Sequence, residues 1–519
     1  MNRILLFLLL LPGSGLMAQP LLETRLTSSF DLNWTDAHVL PTGETMLIGF
    51  AHPLGAQDST LALVAKVDTG LNLLWVKRFK GLSRDDLSAL TPLSDGNLLI
   101  GGTARANFSL EQGGSLIKID TAGQILWEKV YDDSSDDRVL ATFEASSQSL
   151  LTVIRKGVTN SPTKVILTNQ QGNLTSSRAY VHASDNQGLV IDAAASDGAG
   201  TYYLIGDRPG PAGHRELVIL AMDTVNMLWS RTYDLGRTAA CGGAICDGTG
   251  ALYLSGIIDD TTTFFSTSNS WLMKLDDQGG VVWATEVGQT EPYTNLLGDP
   301  VLAPDGSLRW PGTAFTSEGP IGWLLAAGTD GSVLWHRAYA QEASQALSTL
   351  DLLPTGLLLT GSIGPDGWLL RLGEMGESAC SDTTIALEIA PLSVTRDTIA
   401  YINQPPSLAE VNLISERPAP ALTATAICAA SVAHDRLRPL AAFRLGPNPA
   451  SDHLILSWQG EGAAWLDATL FSPEGRSLRT GRLVPGQEAL WAVGNLPAGL
   501  YVLRLQMGAQ VDFRKVRIR

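Results

Sequence analysis

Seven histidines, four cysteines and 52 acidic residues are the groups in this 519-residue chain that could carry acid–base, nucleophilic or metal chemistry. The histidines (His38, His52, His182, His214, His336, His434 and His453) are scattered, and none stands in H-E-x-x-H or another metal-ligand spacing. No G-x-S-x-G elbow, Walker A loop or D-x-[DN]-x-[DN]-G calcium loop occurs. Cys241, Cys246, Cys380 and Cys428 lack the C-x-x-C spacing and supporting histidines of a zinc site. In an exported chain four cysteines suggest two disulfides with three possible connectivities, and proximity favours Cys241 with Cys246 and Cys380 with Cys428. Two carboxylates facing each other could do glycoside chemistry, but spacing along the chain singles out no such pair. The formal charge of −16 argues against nucleic acid and anionic lipid as partners, since both need clustered Lys and Arg. No catalytic, cofactor-binding or metal-ligating residue is assigned from sequence.

The elements that must position any site are repeats. Leu90 to Tyr131 is the clearest copy, and variants recur roughly every fifty residues from about 37 to about 373. Each copy holds an apolar run ending in a tight turn such as Ser94-Asp95-Gly96, then a short apolar run ending in glycine. After a variable insert come a third run such as Ser115 to Asp120, a D-x-x-G-like turn and an aromatic strand such as Trp127 to Tyr131. Asp-Gly between apolar runs is a hairpin signal, because glycine supplies the positive φ of the turn. Four short strands repeated about seven times predict an all-β fold: a seven-bladed β-propeller over 20–373, whose closure into a ring limits exposed edges. Copy seven lacks its fourth strand, and Leu21 to Leu26 is an unpartnered strand-like stretch that would complete it. Trp75, Trp127, Trp229, Trp283 and Trp335 are expected to pack between blades. The D-x-x-G-x-x-x-W fragment resembles repeats of quinone-cofactor propellers, in which it is structural, so it implies no quinone.

Topology puts short uniform turns on one face and long varied loops on the other. Candidate binding positions on the long-loop face are the carboxylates Asp85, Asp86, Asp136 and Asp137, with Asp185 beyond them, and the aromatics Phe108, Phe264, Phe265 and Phe315. The loop Asp207 to Arg215 belongs to the same set.

Residues 1–18 have the three parts of a signal peptide: Arg3, the apolar Ile4 to Leu11 and Leu16-Met17-Ala18. Residues 374–440 read as a linker with short strands at Thr384 to Ile389 and Val411 to Ile414. Residues 443–519 read as a small antiparallel β-sandwich. Pro447-Asn448-Pro449 with Asp452, the Glu474-Gly475-Arg476 turn, Leu496-Pro497-Ala498-Gly499-Leu500-Tyr501 and the basic end with Lys515 resemble the type A C-terminal sorting domain of type IX secretion cargo. The resemblance implies passage through the periplasm and outer membrane, with the secretion machinery as partner and the cell surface or medium as destination. With no catalytic motif visible, the expected function is a non-catalytic secreted or surface scaffold binding a glycan, protein or cation through its long-loop face. The alternatives are a polysaccharide hydrolase or lyase, or a structural envelope component.

Overall fold

The computed structural model is all-β. It describes residues 21–519 except 54–59, 80–85, 105–111, 133–136, 157–161, 186–187, 261–266, 289–292, 296–297, 317–318, 341–344, 384–386, 404–405, 407, 413–415, 418–420, 431–442, 459–465, 472–476, 485, 487 and 508–509. Two units result, Leu21–Ala430 and a second whose described part is 443–519.

The first unit contains seven antiparallel sheets, numbered in chain order by their first strands: Phe30–Val39 for sheet 1, Leu87–Pro92 for sheet 2, Asp137–Ser146 for sheet 3, Val190–Ser196 for sheet 4, Ala239–Cys246 for sheet 5, Tyr293–Asn295 with Val301–Leu302 for sheet 6 and Gln345–Leu353 for sheet 7. Sheet 2 is typical, with Leu87–Pro92, Leu98–Ala104, Gly113–Ile119 and Ile125–Asp132. Its second and third strands are buried at every position, which is why they read as unbroken apolar runs rather than alternating ones. The Asp-Gly turns behave as the sequence suggests: Gly96 has φ +82° and its N–H donates to Leu93 O at 3.0 Å. Each pair of consecutive sheets shares an apolar cluster. Sheets 3 and 4 share Tyr180 with Ile191 and Tyr202, and sheets 6 and 7 share Leu324 with Trp368. Trp34 of sheet 1 and Leu369 of sheet 7 lie in one cluster, so the packing order is cyclic. Leu21–Thr27 is the fourth strand of sheet 7, paired antiparallel with Asp366–Leu372 from Leu22↔Arg371 to Leu26↔Gly367.

Neighbouring sheets are joined by a clasp of tryptophan on glycine. The five repeat tryptophans do pack between sheets, each over the glycine of the next sheet's D-x-x-G-like turn. Trp75 covers Gly123, Trp127 covers Gly172, Trp229 covers Gly279, Trp283 covers Gly331 and Trp335 covers Gly376. All five glycines have positive φ, and a Cβ on any of them would stand within 3.0 Å of an aromatic side chain. Tyrosines reinforce the contact: the hydroxyls of Tyr131, Tyr233 and Tyr339 donate to the carbonyls of Gly172, Gly279 and Gly376. The fourth strands of sheets 3 and 7 bring no tryptophan, and the turns they meet have no glycine at that place. Sheet 4 turns through Asp223-Thr224-Val225-Asn226, and sheet 1 uses the buried Leu71 at φ +58°. Bulk on one side of the seam is matched by its absence on the other.

The segment expected as a linker is a belt. Asp382–Thr383, Glu388–Pro391, Thr395–Thr398, Tyr401–Asn403, Ala409–Asn412, Glu416–Arg417 and Thr423–Ala430 add an outer fifth strand to sheets 6, 5, 4, 3, 2, 1 and 7 in that order. Every rung is antiparallel to the fourth strand it covers. The extended, polar composition of 374–430 suits strands that hydrogen-bond on one side and face solvent on the other; Glu388–Pro391 and Thr395–Thr398 are exposed at every residue. Glu23 anchors the start. Its buried Oε1 accepts from Cys380 N–H at 3.0 Å, Ser381 N–H at 3.1 Å and Ser381 Oγ at 2.9 Å.

Cys241 and Cys246 are free thiols, which corrects the expected disulfide. They lie on one strand, Ala239–Cys246, five residues and so about 17 Å apart, far beyond disulfide reach. Cys380 is disulfide-bonded; Cys428 stands opposite Glu23 in the belt register, and its side chain lies outside the described residues.

The second unit has a three-stranded sheet (Phe443–Gly446, His453–Trp458, Glu488–Ala492) and a four-stranded one (Ser477–Leu483, Leu466–Phe471, Gly499–Met507, Gln510–Ile518). Both contribute to one core containing Leu454, Trp491, Leu470 and Leu503. Among the described residues no helix is long and apolar enough to cross a membrane.

The clasp is testable with two alanines. Gly279 and Gly198 have similar φ, +73° and +69°, but a Cβ at 279 would meet Tyr233 Oη at 2.8 Å and Trp229 at 2.9 Å, whereas one at 198 meets nothing within 4 Å. Gly279→Ala should therefore cost about 1–3 kcal/mol more than Gly198→Ala in urea unfolding. Equal losses would show that the backbone conformation alone matters.

Candidate functional site

The positions picked out on the long-loop face divide into three groups. Asp85, Phe108, Asp136, Phe264 and Phe265 lie outside the described residues. Phe315 belongs to the strand Leu308–Thr316, opposite Pro320 and Tyr293, rather than to a loop. Asp86 and Asp137 are engaged internally: Thr103 Oγ1 donates to Asp86 Oδ1 at 2.8 Å, and Asp137 is buried against Lys164 at 2.5 Å.

A site does form on this face, where sheet 3 meets sheet 4. His182 ends the fourth strand of sheet 3, Leu174–His182. Arg208 lies at the end of the second strand of sheet 4, Tyr202–Pro209. Tyr401 opens the belt strand Tyr401–Asn403 and stands opposite His182 in the register. Strand ends of the same sense thus bring together side chains from positions 182, 208 and 401. His182 and Arg208 border an open cleft of about 650 Å³, whose walls also include Glu216, Asp234, Thr395 and the belt residues Asp397 to Ala400; Tyr401 is buried beside it. A smaller hollow of about 20 Å³ lies among His182, Asp185, Arg208 and Tyr401.

The hydrogen bonds fix the state of His182. Arg208 Nη1 stands 3.3 Å from His182 Nε2, and a guanidinium can only donate, so Nε2 accepts. Nδ1 then carries the proton and donates to Asp185 Oδ1 at 2.9 Å. This arrangement is a neutral imidazole, oriented by a carboxylate, with its lone pair turned toward an arginine. The Tyr401 ring packs against it, centroids 5.7 Å apart. Burial pushes the Tyr401 phenol up to about 12, with Arg208 opposing and Asp185 adding, so the hydroxyl keeps its proton at neutral pH. Asp207, beside Arg208 in sequence, is held by Arg215, whose Nε donates at 2.9 Å. On the far side of the cleft His214 Nε2 meets Asp234 Oδ1 at 2.6 Å. Burial, and then Asp234, raise the carboxyl of Glu216. A base, a protonated phenol and a guanidinium grouped around one hollow can move a proton and neutralise an anion.

The first strands of the sheets offer a second acidic group, and its chemistry is spent on the backbone. Asp36 accepts from Leu90 N–H and Ala37 N–H, both at 2.8 Å, and Asp351 accepts from Val39 N–H at 2.6 Å. These carboxylates tie neighbouring first strands together. Among the described residues no cluster of histidine, cysteine or carboxylate has the geometry of a metal site.

In the second unit, Tyr501 Oη donates to Pro497 O at 2.7 Å, and Asn448 Oδ1 accepts from Arg517 N–H at 2.8 Å. Asp452 O accepts from Val493 N–H and Gly494 N–H. Pro447 and Pro449 form the bend before His453–Trp458, and Gly499 opens the strand Gly499–Met507. Lys515 pairs through its backbone with Val502, and Gly475 lies outside the described residues. The Pro-Asn-Pro and Leu-Pro-Ala-Gly-Leu-Tyr pieces therefore serve the packing of this unit.

No known family matches the sequence, and no curated protein does. Comparison with solved structures returns polysaccharide lyases. The polysaccharide lyase Uly1 is similar over 66% of this chain and 90% of its own, at 8% identity and TM-score 0.41. A PL25 ulvan lyase, solved bound to -[GlcA(1-4)Rha3S]-, is similar over 68% of this chain and 97% of its own, at 10% identity and TM-score 0.39. The expected non-catalytic scaffold is corrected here: the similar solved structures include polysaccharide lyases, and the described part of the long-loop face carries acid–base groups beside a cleft. Sequence reasoning marked Asp185 and the Asp207 to Arg215 loop but missed the cleft. Tyr401 sits more than 200 residues beyond His182, in a segment with no repeat to align it.

Proposed function

We propose that this chain is a glycan-acting enzyme, a lyase for uronate-containing polysaccharide, carried on a seven-bladed β-propeller. The observation that carries the activity is the grouping of neutral His182, Arg208 and protonated Tyr401 around one small hollow beside the open cleft. The propeller reading is supported by seven four-stranded sheets in cyclic packing order.

Elimination from a uronate needs three services. The sugar carboxylate must be neutralised, the proton on C5 removed, and the leaving oxygen on C4 protonated. Arg208 suits the first. Its guanidinium is offered to a lone pair that a substrate carboxylate would replace, and the exchange frees His182 Nε2 to take the C5 proton. The electron pair of the C5–H bond becomes the C4=C5 double bond, the C4–O bond breaks, and Tyr401 supplies the proton to the departing oxygen. Asp185 keeps the imidazole in the right tautomer and stabilises it once protonated. A cleft of about 650 Å³ is open enough to take a chain laid across it. Hydrolysis by Glu216 and Asp234 is a weaker reading, because Asp234 is already engaged by His214.

The test is incubation of the full mature chain with a panel of uronate polysaccharides, following the ultraviolet absorbance of the new conjugated double bond. His182→Ala and Tyr401→Phe should each lower kcat by roughly 10²-fold or more, and Arg208→Ala should also raise KM. The wild-type rate should show no loss on the alkaline side until Tyr401 begins to ionise, near 12. New reducing ends without the absorbance would favour the hydrolase; variants as active as wild type would remove the cleft from the reaction.

We infer further that residues 443–519 are a type A sorting domain and that the enzyme works outside the cell or on its surface. Pro447-Asn448-Pro449 and Leu496 to Tyr501, together with the N-terminal signal pattern, support this reading. Deleting 443–519 should leave the protein in the periplasm, seen by cell fractionation; normal surface delivery of the truncated chain would refute it.

A further inference from the structure

The belt brings Tyr401 against His182 beside the cleft, and its seating there rests on few bonds. Thr395–Thr398 is exposed at every residue; its backbone pairs with the fourth strand of sheet 4, and Arg396 Nη1 donates to Gly279 O at 3.0 Å. The chain then crosses from sheet 4 to sheet 3 through Ile399 and Ala400. Ile399 and Tyr401 are buried in the apolar cluster shared by these sheets. Three backbone-directed bonds secure the crossing. Ile399 N–H donates to Ser230 O at 3.4 Å, Ser230 Oγ donates back to Ile399 O, and Ala183 N–H donates to Ala400 O at 2.9 Å. Ser230 is buried on Met227–Asp234, directly after Trp229, and does not line the cleft.

The same crossing one sheet further along does without the hydroxyl. Ala284 follows Trp283 as Ser230 follows Trp229, and Leu392 N–H donates to Ala284 O at 3.0 Å. A backbone bond alone therefore suffices to seat the belt. The additional bond appears at the crossing two residues before Tyr401, where placement of a side chain against His182 is at stake.

We propose that Ser230 is a positioning residue for Tyr401: its hydroxyl fixes Ile399 and so sets the phenol against His182 and Arg208. The proposal rests on the reading of this cleft as the lyase site. It gives the belt a second role, as the cleft wall whose seating decides whether the acid is in place. Local opening of such a segment needs only a few one-sided bonds and two buried side chains to give way, while the sheets stay folded.

The experiment compares wild type, Ser230→Ala and Ser230→Thr as full mature chains, by amide hydrogen exchange and by elimination kinetics. In Ser230→Ala the amides of Ile399 and of Tyr401 to Asn403 should exchange roughly tenfold faster, with those of the sheet cores unchanged. Elimination kcat should fall about tenfold at nearly constant KM, because the acid is displaced while the carboxylate partner Arg208 is not. Ser230→Thr, which keeps the hydroxyl, should restore both. Unchanged exchange at 399–403, or faster exchange across the sheet cores as well, overturns the proposal whatever the activity. Faster local exchange with undiminished kcat also overturns it, since the clasp would then hold the belt without serving Tyr401. A wild-type chain that eliminates no polysaccharide refutes the lyase reading, and with it the proposed catalytic purpose of the clasp; exchange would still measure the clasp itself.

Discussion

A tryptophan lying on a positive-φ glycine of the next sheet is the contact on which the sheet array depends. At five of the seven seams one sheet presents a large indole and the next accepts it, so these sheets can follow one another only with bulk and gap matched. The aromatic contact buries a large surface, and the tyrosine hydroxyl beside it satisfies a turn carbonyl. Where the indole is missing, the partner turn has changed as well. At the seam between sheets 7 and 1, the contributing strand is Leu21–Thr27, and Leu71 fills the place of a glycine at a backbone angle that costs a leucine strain. That strain is tolerated because the side chain is buried in the cluster joining first and last sheets.

The belt follows from the same array. Seven fourth strands leave seven outer edges, each a row of unpaired backbone groups. One extended segment covers them all in reverse order, and both its ends meet Leu21–Thr27: Glu23 binds the start, and Thr423–Ala430 pairs alongside. A strand of seven residues is thus placed between sheet 7 and the belt. The consequence for function is that a residue far along the chain, Tyr401, comes to rest between sheets 3 and 4.

Sequence patterns disclosed the elements best where they repeat. The apolar runs, the Asp-Gly turns, the tryptophans and the incomplete seventh copy were all legible, because each reflects a local rule imposed several times over. The belt was not. Its strands are two to eight residues long and mostly exposed, and nothing in their composition separates an edge strand from a linker. Cys241 and Cys246 misled for a related reason: closeness in sequence says little when an extended strand holds residues apart. The cleft was half visible. Asp185 and the Asp207 to Arg215 loop could be marked as variable positions on a constant scaffold, whereas the role of His182 emerges only when Arg208 and Asp185 fix its tautomer.

The central claim is that His182, Arg208 and Tyr401 receive a uronate. An experimental structure of the mature chain with a uronate-containing oligosaccharide tests it most directly. The account predicts a sugar carboxylate at Arg208, with the C5 hydrogen of that residue facing His182 Nε2 and its O4 facing Tyr401 Oη. An oligosaccharide bound at the opposite, short-turn face, or along the first strands near Asp36 and Asp351, would contradict it.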